Sequence, residues 1–461
     1  MSKKIFYSLI IMFIILGVVW GVWFFKQQAQ KPAGQTGISL REFFPFGKGT
    51  ADITPKNGKE TNIEENNQAD QIPEVIPLQP KLRKISSIPI AGAVIFEKER
   101  LLPEEIPAVG LLGSLSNPTT ETPVPVVTET KKSKKTKVVV PPKPKTELVS
   151  AVRYIEKERG HSYETYLDII NEKKISNTTI PRIHEAFFGN NGQNVLLRYL
   201  DDDGTTINTY NAVLPIEIDG GDASLELKGS FMPTNISDIS ISPDMKSLFY
   251  LMPYSESAIG TVSLFAGGQK IQIFNSEFTE WLSQWPTTRT IILTTKPSYV
   301  YAGSAYIVDT QTKSINNVLS EITGLTTLMS PNGKSILYSE NTNNGLKLKL
   351  FKMDNREFID LGIKTLPEKC VWGANSEYAY CGVPQSLPQA NYPDNWYQGL
   401  MSFNDDIWKL DLKTNVFDIL AEPQEIAGES VDAIKLSLDS KENYLIFTNK
   451  KDSFLWSLNL K

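Results

Sequence analysis

Histidine and cysteine are scarce, with two of each in 461 residues. Two histidines leave little for His-based catalysis or a multi-His metal site. Two cysteines build neither a disulfide framework nor a four-Cys zinc site. One-sided charge is missing too: 47 Lys and Arg face 52 Asp and Glu, a net charge of −5. That argues against a surface built throughout for nucleic acid. What remains is an ordinary globular balance, 41% apolar and 21% charged, in a chain long enough for one large domain or two to three smaller ones.

One long apolar run departs from that balance. Residues 5–25 carry no charge and a single serine, Ser8. As a helix the run would extend roughly 32 Å, about the thickness of a bilayer core. Lys3 and Lys4 precede it, Lys26 and Lys31 follow, and Trp20 and Trp23 sit near its far end, where an interfacial belt would lie. The expectation is a retained transmembrane helix contacting the lipid bilayer through 5–25, with residues 1–4 cytoplasmic and the remainder extracytoplasmic. A cleaved signal peptide is the rival. It would have a shorter apolar core ending in a small-x-small site, and no lipobox Cys follows the run. A buried helix is the third reading.

Residues 26–80 scatter Pro, Gly, Asn and Gln with no sustained period of 2 or 3.6, which reads as a disordered tether. A second irregular stretch, 99–147, carries Lys131, Lys132, Lys134, Lys135, Lys137, Lys143 and Lys145 among prolines that favour extended backbone. This 131–145 run is either a contact for a polyanion such as anionic lipid, wall polymer or nucleic acid, or a solvated spacer. Residues 1–147 hold 20 Lys plus Arg and 14 Asp plus Glu, net +6, so the rest of the chain is −5 − 6 = −11. A basic stalk carries an acidic body, of which no specific nucleic-acid binding is expected.

The body repeats. Its clearest units are an apolar strand, then Ser-Pro-Asp/Asn-x-Lys-Ser, then a second apolar strand. Examples are Ile236–Ser242, Pro243 to Ser247, Leu248–Tyr254, and Leu325–Ser330, Pro331 to Ser335, Ile336–Glu340. Degenerate copies turn at Asn190 to Gln193, Ala374 to Ser376 and Leu438 to Lys441. A third strand ends in an aromatic-apolar-acidic pattern, as in Tyr306-Ile307-Val308-Asp309 and Trp408-Lys409-Leu410-Asp411, and a turn leads to a short fourth strand. Pro, Asp, Asn and Gly supply the turn dihedrals, and β-branched and aromatic residues the strands. Four strands in 40–50 residues make a propeller blade.

This repeat resembles that of the TolB-like, WD-type β-propellers, over residues 148–461. The resemblance implies an all-β propeller and says almost nothing about function. The strands predict seven four-stranded blades if residues 81–87 close the last blade and residues 90–97 begin the first. The propeller then spans 81–461, with 99–147 an insertion. Such propellers also cap prolyl-oligopeptidase-type peptidases, but a hydrolase domain would need G-x-S-x-G. The nearest fragment, Gly428 to Asp432, lacks the second Gly. Sialidase-type Asp boxes are not visible.

Several residues stand out. Cys370 and Cys381 are directly opposite in a hairpin centred on Asn375-Ser376, within disulfide range; an exported location would allow oxidation, and two buried thiols or metal or redox chemistry are the alternatives. The insertion Gln385 to Gly399 carries Tyr392, Trp396 and Tyr397. Tyr254, Tyr299 and Tyr301 come from equivalent loops of other blades. These aromatics form either a binding face or a lid packed on the ring. Asp201-Asp202-Asp203-Gly204 is a fragment of a calcium loop, better read as a hairpin turn. His161 and His184 show no evident Ser, Cys or acid partner and read as structural.

The expectation is therefore a membrane-anchored β-propeller at the cell envelope. It would act as a non-catalytic scaffold for an envelope protein or peptide, with no catalytic residue, metal or cofactor. The alternatives are a polysaccharide-binding module, or an envelope enzyme whose carboxylates would have to converge in the central channel.

Overall fold

The computed structural model describes residues 80–102, 145–215, 226–342 and 345–461. The expected transmembrane helix, the tether and the lysine run up to residue 144 lie outside these residues. Among the described residues no helix is long and apolar enough to cross a membrane.

The described strands form seven four-stranded antiparallel sheets arranged as a β-propeller. Blade 1 runs outward from Ile90–Leu101 through Thr146–Glu156 and Ser162–Tyr166 to Lys173–Ser176. Blades 2 to 6 follow in chain order, with inner strands Ile183–Gly189, Asp238–Ile241, Trp281–Gln284, Thr327–Met329 and Cys370–Trp372. Blade 7 takes three strands from the C-terminal end, Ala433–Leu438, Tyr444–Asn449 and Leu455–Asn459, and its outer strand from Leu82–Lys84. Leu82 pairs with Leu458 and Lys84 with Trp456. The ring is thus closed by strands from both ends of the described chain, so no inner or outer sheet edge is left half-built.

One boundary differs from the sequence reading. The first hairpin of blade 1 extends to Leu101 opposite Thr146, so residues 99–101 and 146–147 are strand and not part of an irregular insertion. Arg100 explains the extension. Its Nη2 bonds Glu147 and Asp168, each at 2.6 Å, and its guanidinium lies 5.1 Å from the Tyr166 ring centre.

The repeated turn motif has a local cause. Ser242 Oγ donates to Asp244 at 2.6 Å, and the Ser247 N–H donates back to Ser242 Oγ at 2.9 Å. Ser330, Asn332 and Ser335 repeat this at 2.7 and 3.0 Å. The acid ending each third strand caps the next turn: Asp309 accepts from the Gln311 and Thr312 N–H groups, and Asp411 from those of Lys413 and Thr414. Such side-chain-to-backbone bonds fix turns from nearby sequence.

The core lies between blades. Leu337, Leu348 and Leu350 of blade 5 pack on Trp372, Ala379 and Leu410 of blade 6. Near the axis the sheets come closest: a Cβ on Gly92 would sit 2.1 Å from the Ala186 carbonyl oxygen. Inner strands have no partner on the axial side, so side chains satisfy their backbone. Asp238 Oδ2 accepts from Ser283 N at 2.5 Å, Gln284 Oε1 from Met329 N at 3.2 Å, and Arg198 Nη2 donates to Ile236 O at 2.5 Å. This need draws charged and amide groups to the axis.

Candidate functional site at the channel mouth

The insertion between the second and third strands of blade 6 folds down as a lid. Tyr392 and Trp396 are 2% and 4% exposed and pack with Leu346, Leu366 and Phe403. Beneath Trp396 lies Lys369, whose ammonium is fully buried. It bonds Asp405 at 2.7 Å, Asp432, and the Ala433 carbonyl at 3.1 Å. The Trp396 indole N–H donates to Asp432 at 2.9 Å, as does the Phe403 N–H at 3.0 Å, while Lys450 bonds the Trp396 carbonyl at 2.6 Å. Burial pushes Asp405 up to about 6, with Lys369 opposing and Asp432 adding to the rise. Tyr392 and Trp396 therefore anchor the lid and are not presented to a ligand.

Tyr397, one residue on, points the other way. Its ring is partly exposed and its hydroxyl donates to Glu368 Oε1. Thr326 donates to the other Glu368 oxygen at 2.8 Å. Glu368 stands just before the inner strand of blade 6, at the same end as the lid. Burial holds its carboxyl above the ordinary range, although Tyr397 and Thr326 both pull it down. Burial, Glu368 and Asp238 together hold Tyr397 well above the ordinary tyrosine range.

Asp238 opens the inner strand of blade 3. Burial lifts it to about 6, against the Ser283 hydrogen bond; Glu185 adds to the rise and Arg198 opposes it. Glu185 bonds Arg198 at 2.5 Å and has Lys435 at 3.6 Å. Next to this polar ring a cavity of about 450 Å³ is lined by Gly92, Val94, Ala186, Ile241 and Lys435, among others. Asp238 of blade 3 is thus within electrostatic reach of Glu185 of blade 2 and of Tyr397, which bonds Glu368 of blade 6.

Two of the sequence-selected tyrosines join this site. Asp394, in the helical turn that carries Tyr397, accepts from Tyr299 N at 2.5 Å. Tyr299 and Tyr301 therefore flank the lid turn, with Val300 and Tyr301 fully open at 71% and 77% exposure. Tyr254 does not join them: it is exposed and lines a pocket of blade 3 with Glu256, Gln272 and Asn275. Glu368, Asp238 and Glu185 were missed by sequence reasoning. Their one signal is position: Asp238 opens its inner strand, Glu185 is third in its own, and Glu368 comes two residues before the inner strand of blade 6.

Cys370 and Cys381 stand opposite in register, Cα atoms 4.1 Å apart, and form a disulfide. Asp203 bonds the N–H groups of Thr205 and Thr206, so the Asp-x-Asp-Gly stretch is a turn. Among the described residues no group of three or more His, Cys, Asp or Glu is placed to hold a metal ion. His161 does have partners, Glu156 and Thr179, contrary to the sequence reading.

No family model matches the chain, and no curated protein matches it. Solved structures similar to it include an oligogalacturonate lyase in complex with manganese, 10% identical over 68% of this chain and 85% of that one, TM-score 0.45. A second oligogalacturonate lyase, from Vibrio parahaemolyticus, is 8% identical over 68% and 86%, TM-score 0.47. TolB from Acinetobacter baumannii is 10% identical over 66% and 61%, TM-score 0.37. These likenesses concern the propeller fold. Enzymes stand among them, so the expectation of a non-catalytic scaffold is not borne out by these likenesses.

Proposed function

We propose that this propeller is an enzyme acting on a polysaccharide at the cell envelope, held to the membrane through residues 5–25, with its acid–base site at the lidded mouth of the axial channel. The observation that carries this reading is Glu368 bonded by Tyr397, with Asp238 close enough to act on Tyr397 electrostatically, both carboxyls held above their ordinary range. A carboxyl that keeps its proton towards neutral pH can protonate a leaving oxygen, and its conjugate base can take a proton from a hydroxyl or an activated C–H. Glu368 is assigned the proton-exchanging role and Asp238 the second carboxyl. Tyr397 orients Glu368 and donates to substrate when Glu368 is protonated. Open tyrosine faces beside the lid turn suit the flat faces of sugar rings.

The test is a panel of neutral and uronate-containing oligosaccharides incubated with the full-length protein, read for new reducing ends and for new unsaturated products. Wild type turns over at least one member, and Glu368→Gln slows it ~10²-fold or more with an unchanged melting temperature. Equal rates in the two proteins, or no turnover across the panel, would sink the proposal.

A further inference from the structure

A second site lies on blade 1, away from the lid. The strands Thr146–Glu156 and Ser162–Tyr166 are joined by a short connection that pairs Glu156 N with His161 O at 2.8 Å. This pairing sets the two side chains together. His161 is buried, and its Nδ1 is 3.1 Å from Glu156 Oε2, off the straight line of an ideal hydrogen bond. The other ring nitrogen, Nε2, is 3.2 Å from the hydroxyl of Thr179. Thr179 itself is exposed. Desolvation lowers the imidazole first, Lys174 and Arg159 lower it further, and Glu156 opposes them. Tyr163 also faces Glu156. A neutral ring with its proton on Nδ1, toward Glu156, leaves Nε2 free to accept the Thr179 proton.

We propose that Thr179, His161 and Glu156 form a nucleophile, base and orienting acid that take an acyl group from an anionic carboxylic ester. A hydroxyl 3.2 Å from one imidazole nitrogen and a carboxylate oxygen 3.1 Å from the other bring together the three groups that activate a hydroxyl. The Thr179 oxygen bonds the ester carbonyl carbon as its proton passes to His161 Nε2. The ester C–O bond then breaks, and the leaving oxygen takes that proton, so the ester becomes acyl-threonine plus alcohol. Water reverses the path: its oxygen bonds the acyl carbon, its proton returns through His161 to Thr179, and a carboxylic acid leaves. Arg159 and Lys174 are exposed cations whose charge already reaches His161, and they favour an ester that carries a negative charge and a carbonyl oxygen turning negative.

Full-length protein is incubated with p-nitrophenyl hemisuccinate and, separately, with neutral p-nitrophenyl acetate, and the acylated residue is located by peptide mass spectrometry. The expected result is an acyl group on Thr179, gained faster from the succinate ester. Its rate should rise with one ionisation below the ordinary histidine value. Thr179→Val, an exposed and nearly isosteric change, removes the label, and His161→Gln slows labelling ~10²-fold or more. Absence of the acyl group from Thr179, or equal labelling in His161→Gln, overturns the proposal. Equal rates from the two esters overturn the anionic preference. If His161→Gln does not fold, the wild-type pH profile decides: labelling that only tracks hydroxide concentration is also an overturning result.

Discussion

Replacing Lys369 with methionine removes the one cation between two buried carboxylates. Lys369, Asp405 and Asp432 are all fully buried. The methionine fills much the same volume, so the loss is electrostatic, with a smaller part from the rings of Trp396 and Phe403 over the ammonium. Breaking a buried pair by deleting one partner costs ~3–5 kcal/mol. Protonation caps the cost, since a stranded carboxylate takes up a proton at about 1.4 kcal/mol per pKa unit. Asp405 already stands at about 6 with Lys369 in place. Carboxyls whose folded pKa is raised destabilise the fold more as pH rises, so the gap between variant and wild type widens from pH 5 to pH 8. With an unfolding entropy of ~0.7 kcal/mol/K for a propeller of roughly 330 residues, the drop in melting temperature is about 4–7 °C. Calorimetry at pH 5 and 8 measures it. A shift within about 1 °C of wild type at pH 8, or a gap that narrows as pH rises, would refute the reasoning.

Other perturbations test other parts of the structure. Cys370→Ala/Cys381→Ala opens a bridge with a sequence separation of 11; the expected loss is ~2–3 kcal/mol, seen as a lower urea midpoint that reducing agent reproduces in wild type. Gly92→Ala forces a methyl against the Ala186 carbonyl where blades 1 and 2 meet. It should cost at least ~1–3 kcal/mol, and a neutral urea midpoint would contradict the close approach. Asp238, raised to about 6 from 3.8, contributes ~2–3 kcal/mol that is present below pH 3.8 and lost as pH rises through about 6. Asp238→Asn should flatten that part of the stability curve between pH 4 and 6.5, and an unchanged slope in urea unfolding would count against the burial of Asp238.

Local chemistry made the blades legible. Ser242, Asp244 and Ser247 close their turn within six residues, and Asp309 and Asp411 cap turns two and three residues on. Such motifs leave a regular trace in the sequence, and the strand count with its missing outer strand pointed to the closure by Leu82–Lys84. The channel mouth left no such trace. Glu368 meets Tyr397 across 29 positions, Asp238 meets Ser283 across 45, and Lys369 meets Asp432 across 63; each pairing exists only once the ring is assembled. The lid was half legible. Its aromatics were visible, but composition does not separate a ring turned outward, such as Tyr397, from one turned inward, such as Trp396. The Glu156–His161 pair had a usable signal. The two residues close a short hairpin connection, and pairing across that turn puts an acid beside the imidazole.

The proposed acid–base site depends on a Glu368 carboxyl that burial holds above its ordinary range. Carboxyl-selective carbon-13 labelling of glutamate in the full-length protein, compared with Glu368→Gln, identifies the Glu368 resonance and follows its titration. A midpoint above the ordinary glutamate value of 4.5, moving further up when Tyr397→Phe removes the hydroxyl that donates to the carboxylate, is the result expected. A Glu368 carboxyl that titrates at or below the ordinary value would contradict the acid–base reading of this site.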